Sequence, residues 1–527
     1  MHSALLIDEI LQTIFDQCEE CYPFEYLAVM YRLATMCKDW REPTLDRVWK
    51  KLFTISPLLE LLNETSSDGK EVDSYTINDT FKLYAKRVKE VTLRRKAPLL
   101  LSDDSSPILS NLSTATINDA GCFSPPEWFV TPALRTLYIR TGPNVGGNDP
   151  EKLKETCKNV AEGLSQLVKI NCPLQKLRVR GWMSPQLDLQ IGRLCSLRYL
   201  TLHTWESVSS QTIYAVASFP HLELFQLHAG HIDGEDFLIS RPGHLTKTFP
   251  SLRFLHLRGR QSLFKPLLDL LTEGKLETLY LETEYPVFVG SMWRPVFETI
   301  AQKASSSLLD LTIDNFVEMS EFERRDTLIP TEFPLNIDII RPLSSVRNLK
   351  RFYLDVTVPP ILYSEDVEEM GKWWTKLEYM DLTRVPLHAV QWWWQPKVTF
   401  AVLPALARTC PNLQTLALAL DIDNTKDTSC SQDVSSTLPS NQLTYPSHPL
   451  QFLRVGYSHS TEQLPSFVNN VFDLFPNVEL DCSYSNSVMS TVIKPTMKEK
   501  WLATHFSPLI ERELAAGTED GFVDGGL

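Results

Sequence analysis

A short pattern of apolar positions, L-x-x-L-x-L, recurs along most of the chain. It is clear in FPSLRFLHLRG from Phe249, LCSLRYLTLHT from Leu194 and CPNLQTLALAL from Cys410. With Ile, Val, Phe and Met allowed at the apolar positions there are twelve copies, and their first residues are Val88, Leu134, Leu174, Leu197, Leu222, Leu252, Leu276, Leu308, Leu349, Leu377, Leu413 and Leu450. A thirteenth copy near Val478 is weaker. So many copies indicate an internal repeat.

Each copy predicts a short strand followed by a helix. The last two apolar residues lie two positions apart, as in a strand with one buried face. Segments between copies, such as FKPLLDLLTEG from Phe264, have helical spacing. A unit this small cannot bury its apolar face alone, so neighbouring units must stack into one continuous core. Helical crossovers favour parallel strands, and the predicted fold class is therefore α/β.

The repeat resembles that of leucine-rich-repeat proteins over roughly residues 88–455. The resemblance implies a solenoid of twelve or thirteen irregular repeats, with parallel strands on the concave face and helices on the convex face. Successive copies begin between 23 and 46 residues apart, whereas regular arrays keep to about 20–29. We therefore expect loop insertions at residues 142–150 and 423–449.

Three helical patterns precede the repeat, within residues 5–52. The first is LLIDEILQTIF from Leu5, the second contains Leu27, Met30 and Leu33, and the third follows Pro43, a residue that suits a first helical turn. A unit this short buries too little surface to use all of these apolar residues. Either a partner protein or the first repeats must cover the surplus.

This head resembles an F-box. LIDEILQTIF is similar to that family's opening signature of Leu-Pro-x-Glu-Ile followed by apolar residues, and LATMCKDWREPTLDRVWKKL is similar to its second half in fungal F-box proteins. Ile7 stands where Pro is usual, which should weaken the fold without abolishing it. The resemblance implies docking on a Skp-type adaptor and through it on a cullin. The implied adaptor-facing residues are Leu6, Ile7, Glu9, Ile10, Ile14, Leu33, Cys37 and Trp40. Packing of these residues onto the first repeat is the alternative.

The predicted organisation has four segments. An F-box-like helical head occupies residues 1–55 and a helical connector or first cap occupies residues 56–87. The solenoid follows at residues 88–495, and a C-terminal helix or cap with an acidic tail occupies residues 496–527.

The strand positions that alternate with the buried leucines should point outward and pave the concave surface. They are mainly basic in the early copies and mainly acidic in the later ones, with aromatic residues between them. Arginine bonds carboxylate or phosphate bidentately, and aromatic and Arg residues dominate binding hot spots. We therefore expect a protein substrate with an acidic or phosphorylated segment. The predicted contacts are Arg140, Lys176, Arg178, Arg180, Tyr199, His203, His228, Phe254, His256, Arg258, Tyr280, Glu282, Tyr353, Asp355, Tyr379 and Asp381. The alternative is that these residues are merely solvated.

Charge and composition argue against several classes of function. A net charge of −14 and a pI of about 5.4 argue against binding to nucleic acid or to a membrane surface. The ten cysteines show no zinc-ligand spacing beyond one CxxC at Cys18. Asp8 and Glu9 interrupt the first apolar run, which argues against a signal peptide, so a cytoplasmic or nuclear location is expected.

No catalytic motif is found. The sequence has no GxSxG, GxxxxGK[ST] or HExxH pattern, and we expect no enzyme activity, cofactor or metal site. The resemblance implies the substrate-recognition subunit of an SCF-type ubiquitin ligase. The alternative is a leucine-rich-repeat scaffold for protein interactions that has no role in ubiquitin transfer.

Overall fold

The fold is taken from a computed structural model. It describes residues 7–18, 23–62, 74–94, 98–101, 106–119, 126–141, 150–204, 208–243, 248–285, 287, 289–315, 335–356, 360–382, 396–421, 448–456 and 464–483. Leu6, most of the two expected loop insertions and the predicted C-terminal segment 496–527 lie outside the described residues.

One parallel sheet dominates the described part of the chain. It has 15 strands whose spatial order follows the sequence, from β1 to β17 without β2 and β4, which pair with each other in a separate parallel sheet. The strands are β1 (Lys51–Leu52), β2 (Ser74–Thr76), β3 (Glu90–Leu93), β4 (Leu99–Leu101), β5 (Thr114–Asp119), β6 (Thr136–Thr141), β7 (Lys176–Gly181), β8 (Tyr199–Thr204), β9 (Leu224–Ala229), β10 (Phe254–Gly259), β11 (Thr278–Thr283), β12 (Asp310–Asn315), β13 (Arg351–Leu354), β14 (Tyr379–Asp381), β15 (Thr415–Ala419), β16 (Phe452–Gly456) and β17 (Glu479–Ser483).

Helices form the head and most of the crossovers between strands. Among the described residues they are α1 (Asp8–Cys18), α2 (Pro23–Met36), α3 (Lys38–Lys50), α4 (Ser56–Leu59), α5 (Asp79–Ala85), α6 (Pro150–Lys169), α7 (Pro185–Ile191), α8 (Ser210–Ala217), α9 (Gly234–Ile239), α10 (Gln261–Leu268), α11 (Arg294–Ala304), α12 (Ile337–Ile340), α13 (Ser364–Trp373), α14 (Val402–Thr409) and α15 (Leu464–Leu474). Short 3-10 segments lie at Pro126–Trp128, Gly290–Trp293 and Arg341–Ser345.

The predicted repeats coincide with the strands. In the twelve clear copies the strand begins two residues after the first apolar position, as at Leu252 and β10, and the weak copy at Val478 precedes β17. Two strands of the main sheet were missed. The copy that forms β5 begins at Leu112 and has the small Ala115 at its second apolar position, and β1 has only two residues. The missed copy at Leu112 falls inside the 46-residue interval after Val88.

Stacking of the repeats produces one core. A single cluster of buried side chains runs from Leu52 to Val478, and the strand leucines and the inner helix faces meet in it. Trp128, Trp293 and Trp374 are the largest fully buried residues. The core therefore starts before residue 88, and α4 and α5, within the predicted connector, pack into it.

Side-chain caps fix where several crossover helices begin. Asn78, Ser184, Ser209, Asp233 and Asn336 each stand at an N-cap and accept a hydrogen bond from a backbone N–H of the first turn. These helices have four to eight residues, so the unsatisfied N–H groups of the first turn are a large share of their backbone. Each such cap stabilises the fold by about 1 kcal/mol.

The head has a small core of its own. Leu11, Phe15, Met30 and Trp40 form a buried cluster separate from that of the solenoid. The rings of Phe15 and Trp40 meet edge to face at 6.5 Å. The expected start of the third helix was wrong: α3 begins at Lys38, and Pro43 lies inside it.

The third helix also joins the head to the solenoid. Arg87, which follows α5, forms ion pairs with Glu42 and Asp46 of α3. The ring of Trp49 contacts that of Tyr84 at a tilt of 41°, with ring centroids 4.7 Å apart, and packs against the solenoid core. The head is therefore seated on the first repeats through α3.

Candidate functional site: the polar face of the sheet

The face of the main sheet opposite the helices carries the sequence-predicted substrate contacts. On β7, Leu177 and Val179 are buried in the core, while Lys176, Arg178 and Arg180 alternate with them on the other side. The same alternation holds along the sheet. It places on this face, here called the polar face, all sixteen predicted residues: Arg140, Lys176, Arg178, Arg180, Tyr199, His203, His228, Phe254, His256, Arg258, Tyr280, Glu282, Tyr353, Asp355, Tyr379 and Asp381.

Strand register aligns charged residues into one row across seven strands. Each member is paired in register with the next, so neighbours lie about 4.8 Å apart. The charge row consists, from β6 to β12, of Arg140, Arg180, His203, His228, Arg258, Glu282 and Asp314. Its sign reverses between β10 and β11.

The basic end of the polar face comprises Arg140, Lys176, Arg178, Arg180 and His203. Arg180 is exposed and the other four are half-buried. Burial lowers the pKa of His203 to about 3, and the positive charges of His256, Arg178, His228 and Arg180 add to this effect. His203 is therefore neutral at pH 7, and the positive charge of this end comes from Lys and Arg.

Bases and acids meet in the middle of the face. Arg258 Nε donates to Glu284 at 2.9 Å, and His228 pairs with the same carboxylate. His256 Nε2 lies 3.2 Å from Glu282. Burial acts to raise the pKa of Glu284, but the hydrogen bond and charge of His228 and the charge of Arg258 outweigh it, so this pKa lies below its ordinary value.

Sequence reasoning missed Glu284. This residue follows β11 by one position and continues the alternation of Tyr280 and Glu282, which is the signal that could have found it. Its carboxylate neutralises bases that the sequence suggested as contacts for a partner. Arg258 and His228 are thus structural as well as candidate contacts.

The acidic end of the face is more buried than expected. Asp310, Asp314, Asp355 and Asp381 are all less than a tenth exposed, and so is the one base among them, Arg351. Glu282, Tyr353, Asp355 and Asp381, which were expected to point outward as substrate contacts, are buried on this face.

Contacts within a strand and between neighbouring strands accompany this burial. The Tyr280 hydroxyl donates to Asp314 at 2.6 Å, and the Tyr379 hydroxyl donates to Asp381 at 3.1 Å. The Arg351 guanidinium lies over the Tyr379 ring. Burial raises the pKa of Asp310 to about 6, although the charge of Arg351 opposes that shift. Tyrosine hydroxyls thus donate to two of the carboxylates, and one guanidinium lies among them.

The head residues implied to face an adaptor divide into three groups. Ile7, Glu9 and Ile10 are exposed, Ile7 by 47 % and Ile10 by 36 %. The second group, which is half-buried against the head core, comprises Ile14, Leu33 and Cys37. Trp40 is buried inside that core, so its implied outward role does not match its position.

Three further apolar residues of α2 are exposed and were not predicted as contacts. They are Leu27, Tyr31 and Met36. Helical spacing assigned part of α2 to an apolar stripe, but it did not show which side the small core leaves open. Among the described residues, none of the helices is long and apolar enough to span a membrane.

Comparison with known proteins adds little. No protein-family model and no curated protein matches the chain. Solved structures that match include an internalin from Listeria monocytogenes, 12 % identical over 76 % of this chain and 84 % of that one with a TM-score of 0.33. A TLR13–ssRNA13 complex is 16 % identical over 69 % of this chain and 48 % of that one, with a TM-score of 0.31. The Arabidopsis receptor kinase HAESA, in complex with the peptide hormone IDA and the co-receptor SERK1, is 12 % identical over 79 % and 86 %, with a TM-score of 0.18.

These scores are too low to support an inference on their own. The fold class follows instead from the repeated L-x-x-L-x-L sequence, the single parallel sheet and the helical crossovers that pack on one side of it. Together they define an α/β solenoid of the leucine-rich-repeat type. The extended polar face of such a solenoid suits a protein-interaction scaffold.

Proposed function

We propose that this chain is an F-box-type substrate receptor of a cullin-based ubiquitin ligase. Its head would dock on a Skp-type adaptor, and the polar face of the solenoid would hold a protein substrate. The chain would contribute proximity between the substrate and the ubiquitin-charged enzyme, so it needs no catalytic residue of its own.

One observation carries the proposal: the head leaves apolar side chains exposed that its own core does not use. The described head core contains only four buried apolar residues. Exposed apolar residues remain directly before α1, on α1 and on α2, namely Ile7, Ile10, Leu27, Tyr31 and Met36. Large exposed apolar side chains concentrated in a small unit are typical of protein-binding surfaces.

The contacts between head and solenoid indicate that a partner, and not the solenoid, covers the exposed apolar residues of the head. The contacts that join head and solenoid involve α3, through Glu42, Asp46 and Trp49. Ile10 lies on α1 and Ile7 directly precedes this helix, and both remain open to solvent in the folded chain. The F-box resemblance assigns adaptor contacts to both of these positions.

Co-purification with a Skp-type adaptor tests the proposal. We expect wild type to retain the adaptor and the double variant Ile7→Asp/Ile10→Asp to lose it. Both residues are exposed, so the variant should fold. The matched control is Leu238→Asp/Ile239→Asp, which changes two exposed apolar residues at the end of α9 and should retain the adaptor. Wild type that fails to bind, or a double variant that binds as well as wild type, contradicts the proposal.

A second candidate is a repeat scaffold whose head is only an N-terminal cap. The burial of Trp40 inside the head core and the ion pairs of Arg87 favour it, because both are cap-like features. A wild-type chain that binds no adaptor would leave this candidate standing.

A further inference from the structure

The reversal of charge along the polar face indicates what kind of partner this face can bind. Its basic end, on β6 to β8, presents Arg140, Lys176, Arg178 and Arg180. Its acidic end, along β12 to β14, contains the largely buried Asp310, Asp314, Asp355 and Asp381 around the single Arg351. The two ends belong to one continuous sheet, so one ligand can touch both.

We propose that the polar face binds a single extended polypeptide segment of bipolar charge, with acidic or phosphorylated residues against the basic end and Lys or Arg residues against the acidic end. This inference names the substrate class for the proposed function and rests on its substrate-binding part. It does not depend on the adaptor contact.

The acidic end favours a cationic occupant. Four carboxylates and one guanidinium leave this end with negative net charge in a layer that is less than a tenth exposed. Negative charges held close together in a poorly hydrated layer destabilise each other. Cationic side chains of a partner would relieve this repulsion.

Strand spacing sets the length of the segment. Arg180 on β7 and Asp314 on β12 belong to the same charge row and are five strands apart. Five strand spacings correspond to about 24 Å, and an extended chain advances about 3.3 Å per residue. About seven residues should therefore separate the acidic and basic parts of the partner.

The face argues against a nucleic acid as the occupant. A polyanion long enough to cross the sheet would be attracted electrostatically by Arg178 and Arg180. At the other end it would be repelled by Asp314, Asp355 and Asp381. Affinity for nucleic acid comes mainly from neutralised phosphates, and repulsion at the acidic end would reduce it. A polypeptide can carry both signs.

A synthetic peptide provides the test. The probe is a fluorescein-labelled peptide with a short block of glutamates, a spacer of about seven glycine and serine residues, and a short block of arginines. An isomer of the same composition with alternating charges is its control. Binding to the full chain is followed by fluorescence anisotropy at low salt. A third peptide replaces glutamate with phosphoserine and shows which form of negative charge is preferred.

We expect the bipolar peptide to bind at least about tenfold more tightly than the isomer, because its two blocks bind as one linked ligand. The variant Arg178→Glu/Arg180→Glu should remove this advantage. The charge-matched control Arg193→Glu/Arg241→Glu, which alters exposed residues outside the polar face, should keep it.

The acidic end is tested separately, because its residues are buried. The variant Asp355→Asn/Asp381→Asn should bind the bipolar peptide more weakly than wild type does. It should bind a peptide without the arginine block as tightly as wild type does. If this variant fails to fold, the inference can still be tested with wild type alone. A bipolar peptide whose spacer is shortened to about two residues should bind wild type no more tightly than the isomer does.

Three outcomes would overturn the inference. They are equal affinity for the bipolar peptide and its isomer, no binding of either, and tighter binding of a single-stranded oligonucleotide than of the bipolar peptide. None of them involves the adaptor, so co-purification still reports on the proposed ligase role. If wild type bound no adaptor, the result of the peptide experiment would still stand.

Discussion

Arg180 on β7 and His203 on β8 occupy directly paired positions on adjacent parallel strands. A guanidinium and an imidazole therefore lie side by side on the polar face, with His228 next in the same row. Like charges so placed disfavour each other, and the imidazole is the group that can lose its charge. Burial, together with the positive charges of His256, Arg178, His228 and Arg180, lowers the pKa of His203 and keeps it neutral in the folded protein.

The lowered pKa of His203 predicts loss of stability in mild acid. The unfolded chain protonates His203 near pH 6.5, but the folded chain does so only at about pH 3. Between these values the unfolded state binds more protons, so acidification favours unfolding. We expect the melting temperature to fall from pH 7 to pH 5, and to fall less in His203→Gln. Thermal unfolding followed by circular dichroism measures it. An equal fall in both proteins would show that His203 does not contribute.

Gly234 should be intolerant of a side chain. It stands at the first position of α9, and a Cβ there would lie 2.1 Å from the backbone oxygen of Ser262. Gly234→Ala must displace α10, and we expect a cost of about 1–3 kcal/mol. A Cβ at Gly243 would have nothing within 4 Å, so Gly243→Ala should change stability by less than about 0.5 kcal/mol. Urea denaturation compares the two variants, and equal effects would contradict this packing of α9 on α10.

Trp40 should hold the head together. Its ring packs on Phe15 in a core of four buried residues, so Trp40→Ala should cost about 3–5 kcal/mol. That exceeds what so small a core can lose, and we expect the head to unfold while the solenoid remains folded. Limited proteolysis should then cut the chain within residues 8–50. In Ile10→Asp the same region should resist cleavage, because Ile10 is exposed.

Arg87 should fix the head on the solenoid. Its guanidinium pairs with Glu42 and Asp46 and is mostly buried. Arg87→Ala leaves two exposed carboxylates without this partner, and we expect a loss of about 1 kcal/mol in the stability of the junction. Hydrogen exchange of α3 should rise in this variant. The neighbouring Lys86 is exposed, and Lys86→Ala should leave exchange unchanged; equal exchange in wild type and Arg87→Ala would exclude the role.

The strands could be predicted from the sequence because their signal is local. The spacing of Leu252, Leu255 and Leu257 reports one buried strand face without knowledge of any other residue. The same alternation placed Arg178 and Asp381 on the polar face. The copy at Leu112 was missed because Ala115, at its second apolar position, is too weakly apolar to be recognised.

The burial of the acidic end could not be predicted, because it depends on contacts between strands. Tyr280 and Asp314 are 34 residues apart in sequence, and their hydrogen bond exists only once β11 and β12 pair in register. The same is true of Glu284 and His228, which are 56 residues apart. For the head, helical spacing identified apolar stripes but not that Trp40 faces inward.

The most direct test of the whole account is calorimetric titration of the full-length chain with a Skp-type adaptor. We expect one-to-one binding with a negative heat-capacity change, because apolar surface is buried. Affinity should fall by at least about tenfold in Ile7→Asp/Ile10→Asp, since hot-spot residues contribute about 2 kcal/mol or more. It should be unchanged in Arg178→Glu/Arg180→Glu, whose residues serve the substrate. No binding by wild type, or equal binding by the head variant, would contradict the account.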